Sequence, residues 1–582
     1  MNRSKERKRL RMRICWVACC FTMALGLVAA KAVYLQIYCG PQLSRRAASQ
    51  YVGSLQSQGN RGTIYDVRHR AMAVSIETAS IAADPSRITD KSAAASELVK
   101  ALDLDGRRLG RSLAGDRSFV WIKRSATPKE IRLVRDLQLS GIDFVPEYKR
   151  FYPSKTLAAQ VLGFSGIDGR GLEGIEYYYD AYLKAGQGKL TILRDALGRV
   201  FEAPVKGLSH FDGNNLILTL DRTVQFVTEA ALAEAVTEYR ARSGIAIVMK
   251  SGSGALLAMA HYPFFNPNSF AEFKREQWRN RAITDPFEPG STMKIFGAAG
   301  ALEYGGCTPS TLFFCENGQY RIGANVVHDT KPRGWLSLKQ VITYSSNIGA
   351  VKLAERLGPE TLHRNLENFG FGCKTGIDCP GETTGSLADY QRWSRIDTAA
   401  ITFGQGISVS AIQLITAAAA IANDGILMKP YMVQAITNKH GRLIKSFGPV
   451  RVRRAISSET ARQVRRMMQK VVTDGTGVKA SLDGYSACGK TGTAQKIDGQ
   501  GTYAKGKYVS SFVGFAPVES SAQIPGVTIL VVIDEPLKHH YGGVVAAPVF
   551  RKIAQATLNY LNVSPAAQSE GWTAGLEPEG CG

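Results

Sequence analysis

Acidic residues are scarce in this sequence. Its 582 residues include 49 Asp and Glu against 72 Lys and Arg, which gives a formal net charge of +23. Such an excess of positive charge suits nucleic acid, anionic lipid or an anionic cell-wall polymer as a partner. The chain has no zinc-finger spacing and no aromatic-rich ribonucleoprotein pattern, so no nucleic-acid partner is expected.

Repeats, low-complexity segments and metal-binding motifs are also missing. The eight histidines form no H-E-x-x-H motif, and we expect neither a metal ion nor another cofactor. Apolar residues make up 45% of the chain, which is ordinary for a globular protein and argues against disorder and against several membrane spans. A chain of this length is expected to form two or three domains.

One long apolar run is present, and it lies near the N-terminus. Residues 1–13 form a basic tail with seven Lys and Arg against one Glu. Residues 14–30 carry no charge, and the apolar stretch continues to Tyr38. That length crosses a bilayer, and the basic tail predicts an N-terminus inside and the bulk of the chain outside. We interpret residues 14–38 as an uncleaved transmembrane anchor; the alternative is a signal peptide cleaved near Ala30.

The rest of the chain divides into three segments. Residues 39–210 have a mixed α+β pattern without catalytic motifs. Residues 211–563 begin and end with strands and are mainly helical between, which predicts an α+β domain whose two ends share a sheet. Residues 564–582 are polar and Gly-rich, and we expect a flexible tail. The patterns within 211–563 predict strands at 216–220, 245–249, 255–259, 508–515 and 527–533, and helices at 221–239 and 412–422.

The first candidate site motif is Ser291-Thr-Met-Lys294, which follows a Pro-Gly turn. The apolar residues after Ser291 predict a buried helix, in which Ser291 and Lys294 share one face. A serine hydroxyl becomes a nucleophile when a base removes its proton, and a desolvated lysine with a lowered pKa can be that base. Alone the pattern is weak, because a helix-capping serine and a surface lysine have the same spacing.

The second motif is Ser345-Ser346-Asn347, which lies between two helical patterns. It can be read as a short polar turn between helices. In the functional interpretation Ser345 is a proton shuttle, and the Asn347 amide holds a substrate peptide.

The third motif is Lys490-Thr491-Gly492-Thr493, which precedes the two last predicted strands. Gly492 allows a substrate to approach a strand edge closely. The Lys490 ammonium and the hydroxyls of Thr491 and Thr493 can bind a carboxylate.

The third motif also fits a nucleotide-binding pattern. Residues 484–491 match G-x-x-x-x-G-K-[ST], and residues 530–535 resemble the hydrophobic strand with a terminal acid that follows such loops. A phosphate-binding loop needs a helix that begins at its lysine. Glycines at 492, 499 and 501 argue against that helix, so nucleotide hydrolysis is not expected.

The three motifs, in this order, are those of β-lactamases and penicillin-binding proteins, with Ser346 at a position where Asp is common. Over nearly the whole length beyond the anchor, the chain resembles class B penicillin-binding proteins of the division-specific, FtsI-like kind. The segments that carry this resemblance are 61–66, 171–176, 280–282, 403–406, 475–477, 511–517, 534–536 and 541–550. One departure is Val67-Arg68-His69, where family members usually have Arg-x-Gly.

The resemblance implies a fold and an activity. The fold would be a serine penicillin-recognising transpeptidase domain at 211–563, with helices on both faces of an antiparallel sheet, after an elongated α+β pedestal at 39–210. The activity would be that of a peptidoglycan D,D-transpeptidase, which cross-links stem peptides ending in D-Ala-D-Ala and is inhibited covalently by β-lactam antibiotics.

The resemblance also implies roles for the motif residues. Ser291 would carry the acyl group, Lys294 would be the base for acylation, and Ser345 would pass a proton to the leaving amine. The substrate would be bound by side chains of two motifs, namely Asn347, Lys490, Thr491 and Thr493. Backbone N–H groups of Ser291 and Thr493 would form the oxyanion hole.

The resemblance further implies a location and partners. The protein would be a single-pass protein of the bacterial cytoplasmic membrane, with an extracytoplasmic catalytic domain at the division site. Because residues 39–210 show no glycosyltransferase pattern, it would work with a polytopic FtsW-like glycosyltransferase and other division proteins. The alternatives are an elongation-specific transpeptidase of the same class and a non-catalytic division scaffold. A β-lactamase would leave the anchor and residues 39–210 unexplained.

Seven of the ten cysteines lie beyond the anchor. An extracytoplasmic compartment is usually oxidising, so thiols there tend to pair. Two pairs are close in sequence and each brackets a turn, so we hypothesise the bridges Cys307–Cys315 and Cys373–Cys379. Four cysteines allow three connectivities, and the alternative is that they are small buried apolar residues, as we expect for Cys488.

Overall fold

The structure is a computed structural model of the chain, and it divides into two compact units. It describes residues 3–115, 117, 119–194, 200–202, 212–498, 502–519 and 526–565. One unit consists of residues 1–60 and 185–212, and the other of residues 61–184 and 213–582. Most of the tail predicted at 564–582 lies outside the described residues.

The smaller unit combines the N-terminal helices with a small antiparallel sheet. Its helices are Arg3–Val33, the π-helical turn Tyr34–Tyr38, and Gly40–Tyr51. Its strands are Val52–Gln58, Gln187–Arg194 and Val200–Glu202. Within the described residues, Lys5–Tyr38 is the one helix that is long and apolar enough to cross a membrane. The anchor predicted at 14–38 lies inside this helix.

Residues 61–184 of the larger unit pack short helices against a sheet. The strands are Ile64–Tyr65, Ala71–Ala83, Val120–Ala126 and Ile142–Phe151. The α-helices are Lys91–Leu102, Gly106–Ala114, Pro128–Asp136, Ala159–Leu162, Gly174–Tyr178 and Asp180–Leu183. Asp90, Asp105 and Thr127 accept backbone N–H bonds at the N-termini of the first three helices, which stabilises these ends. The Ala71–Ala83 strand pairs with both of the longer strands that follow it.

A buried ion cluster joins two segments of this part of the chain. The Glu176 carboxylate accepts hydrogen bonds from Nε of Arg61 and from Nε of Arg150, each at 2.6 Å. Arg61 also bonds Asp180 at 2.6 Å. Burial would raise the pKa of Glu176, but the charges of Arg150 and Arg61 outweigh it and lower that pKa. Removal of one partner would leave a buried charge unpaired, so the cluster holds residues 61 and 176 in one arrangement.

The departure from the family pattern at residues 67–69 leaves the local turn intact. His69 has a φ of +57°, in the left-handed region, at the position where the family usually has glycine. Arg70 donates to the carboxylate of Asp66 at 2.7 Å and to that of Asp221 at 2.9 Å. The hydrogen bonds of Arg70 thus fix the turn. His69 adopts the left-handed backbone conformation although it is not glycine.

A five-stranded antiparallel sheet forms the centre of the part of the larger unit that follows residue 212. In spatial order its strands are Leu256–Tyr262, Ser243–Lys250, Val527–Asp534, Tyr503–Ala516 and Cys488–Ile497. Both faces are buried, because Ile247 packs in one hydrophobic cluster with Ile412, and Val248 packs in another with Phe550. The two ends of the domain share this sheet and helices cover both faces, as the sequence predicts.

Helices and short strands complete the domain. The α-helices are Arg222–Glu238, Arg275–Trp278, Arg281–Thr284, Lys294–Glu303, Leu338–Tyr344, Asn347–Leu357, Pro359–Asn368, Arg395–Thr402, Ala411–Ala422, Ser458–Asp474, Gly542–Val545 and Ala547–Tyr560. The remaining strands are Asn215–Leu218, Leu312–Phe314, Gln319–Ile322, Asn325–His328, Trp335–Ser337, Ile426–Met428, Val433–Thr437, Leu443–Ser446 and Arg451–Arg454. The predicted strands and helices are confirmed, with ends that differ by a few residues.

A second sheet includes strands from both parts of the larger unit. Ile64–Tyr65 pairs in parallel with Asn215–Leu218, whose other neighbour is Val433–Thr437. The segment that follows residue 60 is therefore hydrogen-bonded into the same sheet as the segment that begins at residue 213.

The predicted disulfide bridges are wrong. Cys307, Cys315, Cys373 and Cys379 are all free thiols. In one pair the two cysteines differ in exposure, because Cys373 is exposed whereas Cys379 is buried beside the Asn280 amide. Cys307 and Cys315 are both buried, but their sulfur atoms lie against the carbonyls of residues 305 and 313. Closeness in sequence does not bring these sulfur atoms together, and the buried cysteines pack as small apolar residues.

Candidate active site

Ser291 lies in a tight turn that leads directly into a buried helix. The turn, Gly290–Met293, is 3₁₀-helical and the α-helix begins only at Lys294, whereas the sequence predicted α-helix from Ser291. Gly290 has a φ of +58°, and a Cβ at this position would lie 2.9 Å from the carbonyl oxygen of Thr493. Only glycine therefore lets the turn pack so closely against the strand that carries the third motif.

Lys294 is completely buried, and its ammonium group contacts the second motif. Its Nζ donates to the backbone oxygen of Ser345 at 2.6 Å, to Oδ1 of Asn347 at 2.7 Å and to Oγ of Ser345 at 3.3 Å. Burial lowers the pKa of Lys294 to about 7, although the carboxylate of Asp329 acts in the opposite direction. A substantial fraction of this lysine is thus neutral near pH 7 and able to accept a proton.

The hydroxyl of Ser345 connects two lysines. Its Oγ accepts a hydrogen bond from Nζ of Lys490 at 2.9 Å in addition to the one from Lys294. Ser345 has a φ of +62° and ends the helix Leu338–Tyr344. This left-handed conformation turns the chain between two helices at the point where the hydroxyl meets both lysines.

Lys490 is the second buried lysine of the site. Burial lowers its pKa well below the usual value, and the nearby charge of Lys294 lowers it further. Its Nζ also lies 3.2 Å from the backbone oxygen and 3.4 Å from Oγ1 of Thr491. The Thr491 hydroxyl in turn lies 2.8 Å from that of Thr476, so a hydroxyl pair extends the polar surface beside Lys490.

The strand that carries the third motif borders the Ser291 turn. A Cβ on Gly492 would lie 2.2 Å from Oγ of Ser511 on the neighbouring strand and 2.9 Å from the backbone oxygen of Pro289. The Thr493 hydroxyl accepts the backbone N–H of Gly542 at 3.1 Å. The strand segment 490–493 therefore packs directly against the turn that carries Ser291.

Asp329 is a residue of this site that the sequence did not indicate. Its carboxylate accepts the hydroxyl of Ser346 at 2.5 Å and the backbone N–H groups of Asn347 and of Ile348, the latter at 3.1 Å. These groups form the N-terminus of the helix Asn347–Leu357, where a carboxylate is favourable. Asp329 thus supplies a carboxylate beside Ser346, in a motif that commonly has Asp. No local pattern marks it, since it belongs to a loop before the motif.

The structure brings the three motifs together, as expected from their roles. Ser345, Asn347, Lys294 and Lys490 share direct hydrogen bonds, and the Ser291 turn packs on the strand of Thr493. In the described residues no cluster of three or more His, Cys, Asp or Glu side chains is arranged to hold a metal ion. The arrangement joins a candidate nucleophile, a candidate neutral base and a second buried lysine with a lowered pKa. The lysine of the P-loop pattern, Lys490, lies in a β-strand, so the helix that this pattern requires is not present there.

Comparison with known families identifies both halves of the chain. Residues 244–555 match the family model described as the penicillin-binding protein transpeptidase domain. Residues 56–218 match that of the penicillin-binding protein dimerisation domain.

Curated relatives extend over almost the whole length. The chain is 34% identical to the probable peptidoglycan D,D-transpeptidase PenA of Neisseria gonorrhoeae, over 95% of this chain and 93% of that protein. It is 32% identical to the peptidoglycan D,D-transpeptidase FtsI of Escherichia coli K12, over 95% and 92%. It is 31% identical to the stage V sporulation protein D of Bacillus subtilis 168, over 96% and 87%.

Solved structures show the same fold. Penicillin-binding protein 3 of Mycobacterium tuberculosis, solved with aztreonam, superposes with a TM-score of 0.69 at 27% identity, over 88% of this chain and 98% of that one. A peptidoglycan synthetase from Bifidobacterium adolescentis superposes with the same TM-score at 25% identity, over 89% and 98%. The fold and the motifs define a penicillin-binding transpeptidase. The chain belongs to the class B penicillin-binding proteins, as its sequence predicts.

Proposed function

We propose that this chain cross-links peptidoglycan stem peptides during division, through an acyl-enzyme on Ser291. The observation that carries the proposal is the hydrogen-bonded set of Lys294, Ser345 and Lys490 next to the Ser291 turn. Two buried amines with lowered pKa values and one shared hydroxyl form a path along which a proton can move.

Acylation begins at Ser291. Neutral Lys294 takes the hydroxyl proton as Oγ attacks the carbonyl carbon of the D-Ala-D-Ala bond. The C–N bond then breaks, and the amine of the terminal D-Ala leaves with a proton passed through Ser345. The enzyme is left with an ester on Ser291.

Transfer repeats these steps in reverse. The amine of a neighbouring stem peptide attacks the ester carbonyl and loses a proton to the same path. The bond to Oγ breaks, Ser291 regains its proton, and the new amide is the cross-link. The Ser345 hydroxyl acts in both steps because it can donate and accept.

Binding groups surround these reacting atoms. Lys490, Thr491 and Thr493 would hold the terminal carboxylate, Gly492 leaves room beside the strand, and the Asn347 amide would bind the peptide backbone. Backbone N–H groups of Ser291 and Thr493 would form the oxyanion hole, in which the loss of one donor costs about 3–4 kcal/mol.

A penicillin-labelling experiment tests the nucleophile. A β-lactam contains a strained amide that would acylate the same serine, so a fluorescent penicillin should label the protein covalently. Ser291→Ala should abolish labelling and leave the melting temperature almost unchanged. Ser310→Ala, at an exposed position, is the control and should label normally. Labelling of the Ser291→Ala protein at the wild-type level would reject the proposed nucleophile.

The division role rests on the relatives and on the N-terminal helix. FtsI-type and sporulation-type relatives cover nearly the whole chain, and the helix Lys5–Tyr38 fits a single-pass anchor with its basic end inside. The catalytic domain would then face the extracytoplasmic side and receive glycan strands from an FtsW-like glycosyltransferase. A fluorescent fusion of the full chain should concentrate at midcell. Uniform placement along the side wall would favour an elongation role.

A further inference from the structure

A loop beside the second motif carries an arginine with no assigned role. The loop runs from His328 to Trp335, and it contacts the motif because Nδ2 of Asn347 donates to the backbone oxygen of His328 at 2.9 Å. Asp329 holds the other side of the motif, as described above. The loop therefore lies directly along the outer side of Ser345–Asn347.

The guanidinium of Arg333 lies over an exposed aromatic ring at this edge. Its Cζ is 3.8 Å from the ring centre of Tyr344, the residue immediately before Ser345, and that ring is 37% exposed. Arg333 itself is only partly buried, and it makes no ion pair with a carboxylate in the described part of the chain. A stacked and solvent-accessible guanidinium is pre-organised to bind a planar anion.

An exposed tryptophan extends the same surface. Trp335 is 65% exposed, and its ring packs at 5.2 Å on that of Phe314. Gly334 separates Arg333 from Trp335, and a Cβ there would lie 3.9 Å from the Phe314 ring, so the loop rests on this ring. A large exposed indole next to a cation is typical of a binding surface for a chain with both apolar and anionic groups.

The charges nearby favour an anionic ligand. Asp329 is engaged by Ser346 and by two backbone N–H groups, and Glu316 is paired with Lys352 at 3.1 Å. Lys331, on the same loop, is exposed and adds a positive charge. The loop edge is therefore net positive, and the Arg333 guanidinium, which has no ion-pair partner among the described residues, offers N–H donors to an anion.

We propose that Arg333, with Trp335 and Tyr344, forms a subsite for a carboxylate on the donor peptide, upstream of its D-Ala-D-Ala end. This inference rests on the proposed transpeptidase function. The carboxylate would bind the guanidinium in two parallel hydrogen bonds while the Trp335 indole covers aliphatic carbons of the peptide. The terminal carboxylate would be held separately, at Lys490.

A pair of matched peptides tests the subsite in the full-length protein. Both end in D-Ala-D-Ala, and they differ only in a free carboxylate or a primary amide on one upstream residue. Release of D-Ala from each gives kcat/KM, and the wild-type protein should prefer the carboxylate peptide by about 10-fold, carried mainly by KM. Arg333→Gln should bring this ratio close to 1. Arg333→Lys should restore part of it.

The control is Arg321→Gln, at an exposed position on the strand Gln319–Ile322, and it should keep the wild-type ratio. Thermal melting checks that each variant is folded, and the Lys variant keeps the test valid if the Gln variant is unstable. A wild-type ratio near 1, or an equal loss on both peptides in Arg333→Gln, would overturn the subsite and leave a structural contact with Tyr344. Absence of D-Ala release and of penicillin labelling in the wild type would instead reject the proposed function.

Discussion

A single buried lysine is expected to set the pH dependence of acylation. The pKa of Lys294 is lowered to about 7 by burial. Below that pH the amine is protonated and cannot take the Ser291 proton; above it the amine is neutral. The rate of penicillin acylation should therefore rise as the pH increases through about 7 and then level off. Because Lys294 and Lys490 share the Ser345 hydroxyl, the observed midpoint belongs to the coupled pair.

Replacement of this lysine tests its role. Lys294→Ala should reduce the acylation rate by about 10²–10⁴-fold, the effect of a lost acid–base group. The rise near pH 7 should disappear with it. Lys339→Ala, on an exposed lysine, is the matched control. A near-wild-type rate in Lys294→Ala would show that another group is the base.

We expect Asp329 to influence acylation through its charge near Lys294 and through its hydrogen bonds to the second motif. Its carboxylate raises the pKa of Lys294 and holds the backbone of Asn347 and Ile348. Asp329→Asn should therefore move the midpoint of the pH–rate profile to lower pH and slow acylation by about 10-fold, as for a lost charge-assisted bond. Glu316→Gln, which breaks an ion pair outside the site, should leave the profile unchanged. An unmoved midpoint in Asp329→Asn would contradict this role.

Sequence and structure differ in what they reveal about single residues. Ser291, Lys294, Ser345 and Lys490 were visible because the three motifs have the order and spacing of a known family. The structure brings Lys294, Ser345 and Lys490 into direct hydrogen bonds. Asp329 was not visible, since a residue in a distant loop gains its role only through folding. The left-handed backbone of Ser345 was also hidden, because serine has no preference for it.

At the scale of elements, the strand with the third motif depends on a missing side chain. A Cβ at Gly492 would meet Oγ of Ser511 at 2.2 Å and the backbone of Pro289 at 2.9 Å. Gly492→Ala should push the strand away from the Ser291 turn and reduce penicillin acylation by at least about 10²-fold, since small displacements of reacting groups are costly. Gly448→Ala, where a Cβ meets nothing, should acylate normally. Normal acylation by Gly492→Ala would show that the contact is not needed.

The elements were predicted well where periodicity is strong. The strands at 243–250 and 527–534 are continuous apolar runs because helices cover both faces of their sheet. Residues 291–293 of the 3₁₀ turn were predicted as α-helix, because their apolar spacing fits both forms. The choice between the two helical forms depends on packing against the strand Cys488–Ile497, which lies about 200 positions later in the sequence.

At the scale of the molecule, a buried carboxyl group couples stability to pH. Glu229 lies on the first helix of the catalytic domain and accepts the backbone N–H of Ala158 at 2.7 Å. Burial raises its pKa to about 7. The folded protein therefore holds this proton more tightly than the unfolded chain, and stability should fall as the pH rises from about 4.5 to about 7.

Glu229→Gln keeps the acceptor oxygen and removes the titration. It should leave stability unchanged at pH 4.5 and raise it by up to about 3 kcal/mol at pH 8. Thermal melting of the full chain in detergent across this range measures the difference. Glu234→Gln, at an exposed ion pair with Lys552, is the control. An equal pH slope in Glu229→Gln and wild type would contradict this explanation.

The pairing of cysteines was the least predictable feature. The two disulfide bridges failed because sequence distance says little about the direction of side chains, and Cys373 and Cys379 differ in exposure although only five residues separate them. The shared central sheet was predictable, since strand patterns lie at both ends of residues 211–563.

The strand pairing of Ile64–Tyr65 with Asn215–Leu218 has a practical consequence for anyone shortening the gene. A fragment that starts at residue 211 would keep all three motifs but lose one of the two partners of its first strand, Asn215–Leu218. That strand would display a row of unpaired backbone groups, which invites aggregation. A fragment without the apolar helix should therefore begin between Tyr38 and Val52. It then keeps Ile64–Tyr65 with Asn215–Leu218 and also Val52–Gln58 with its own partner Gln187–Arg194.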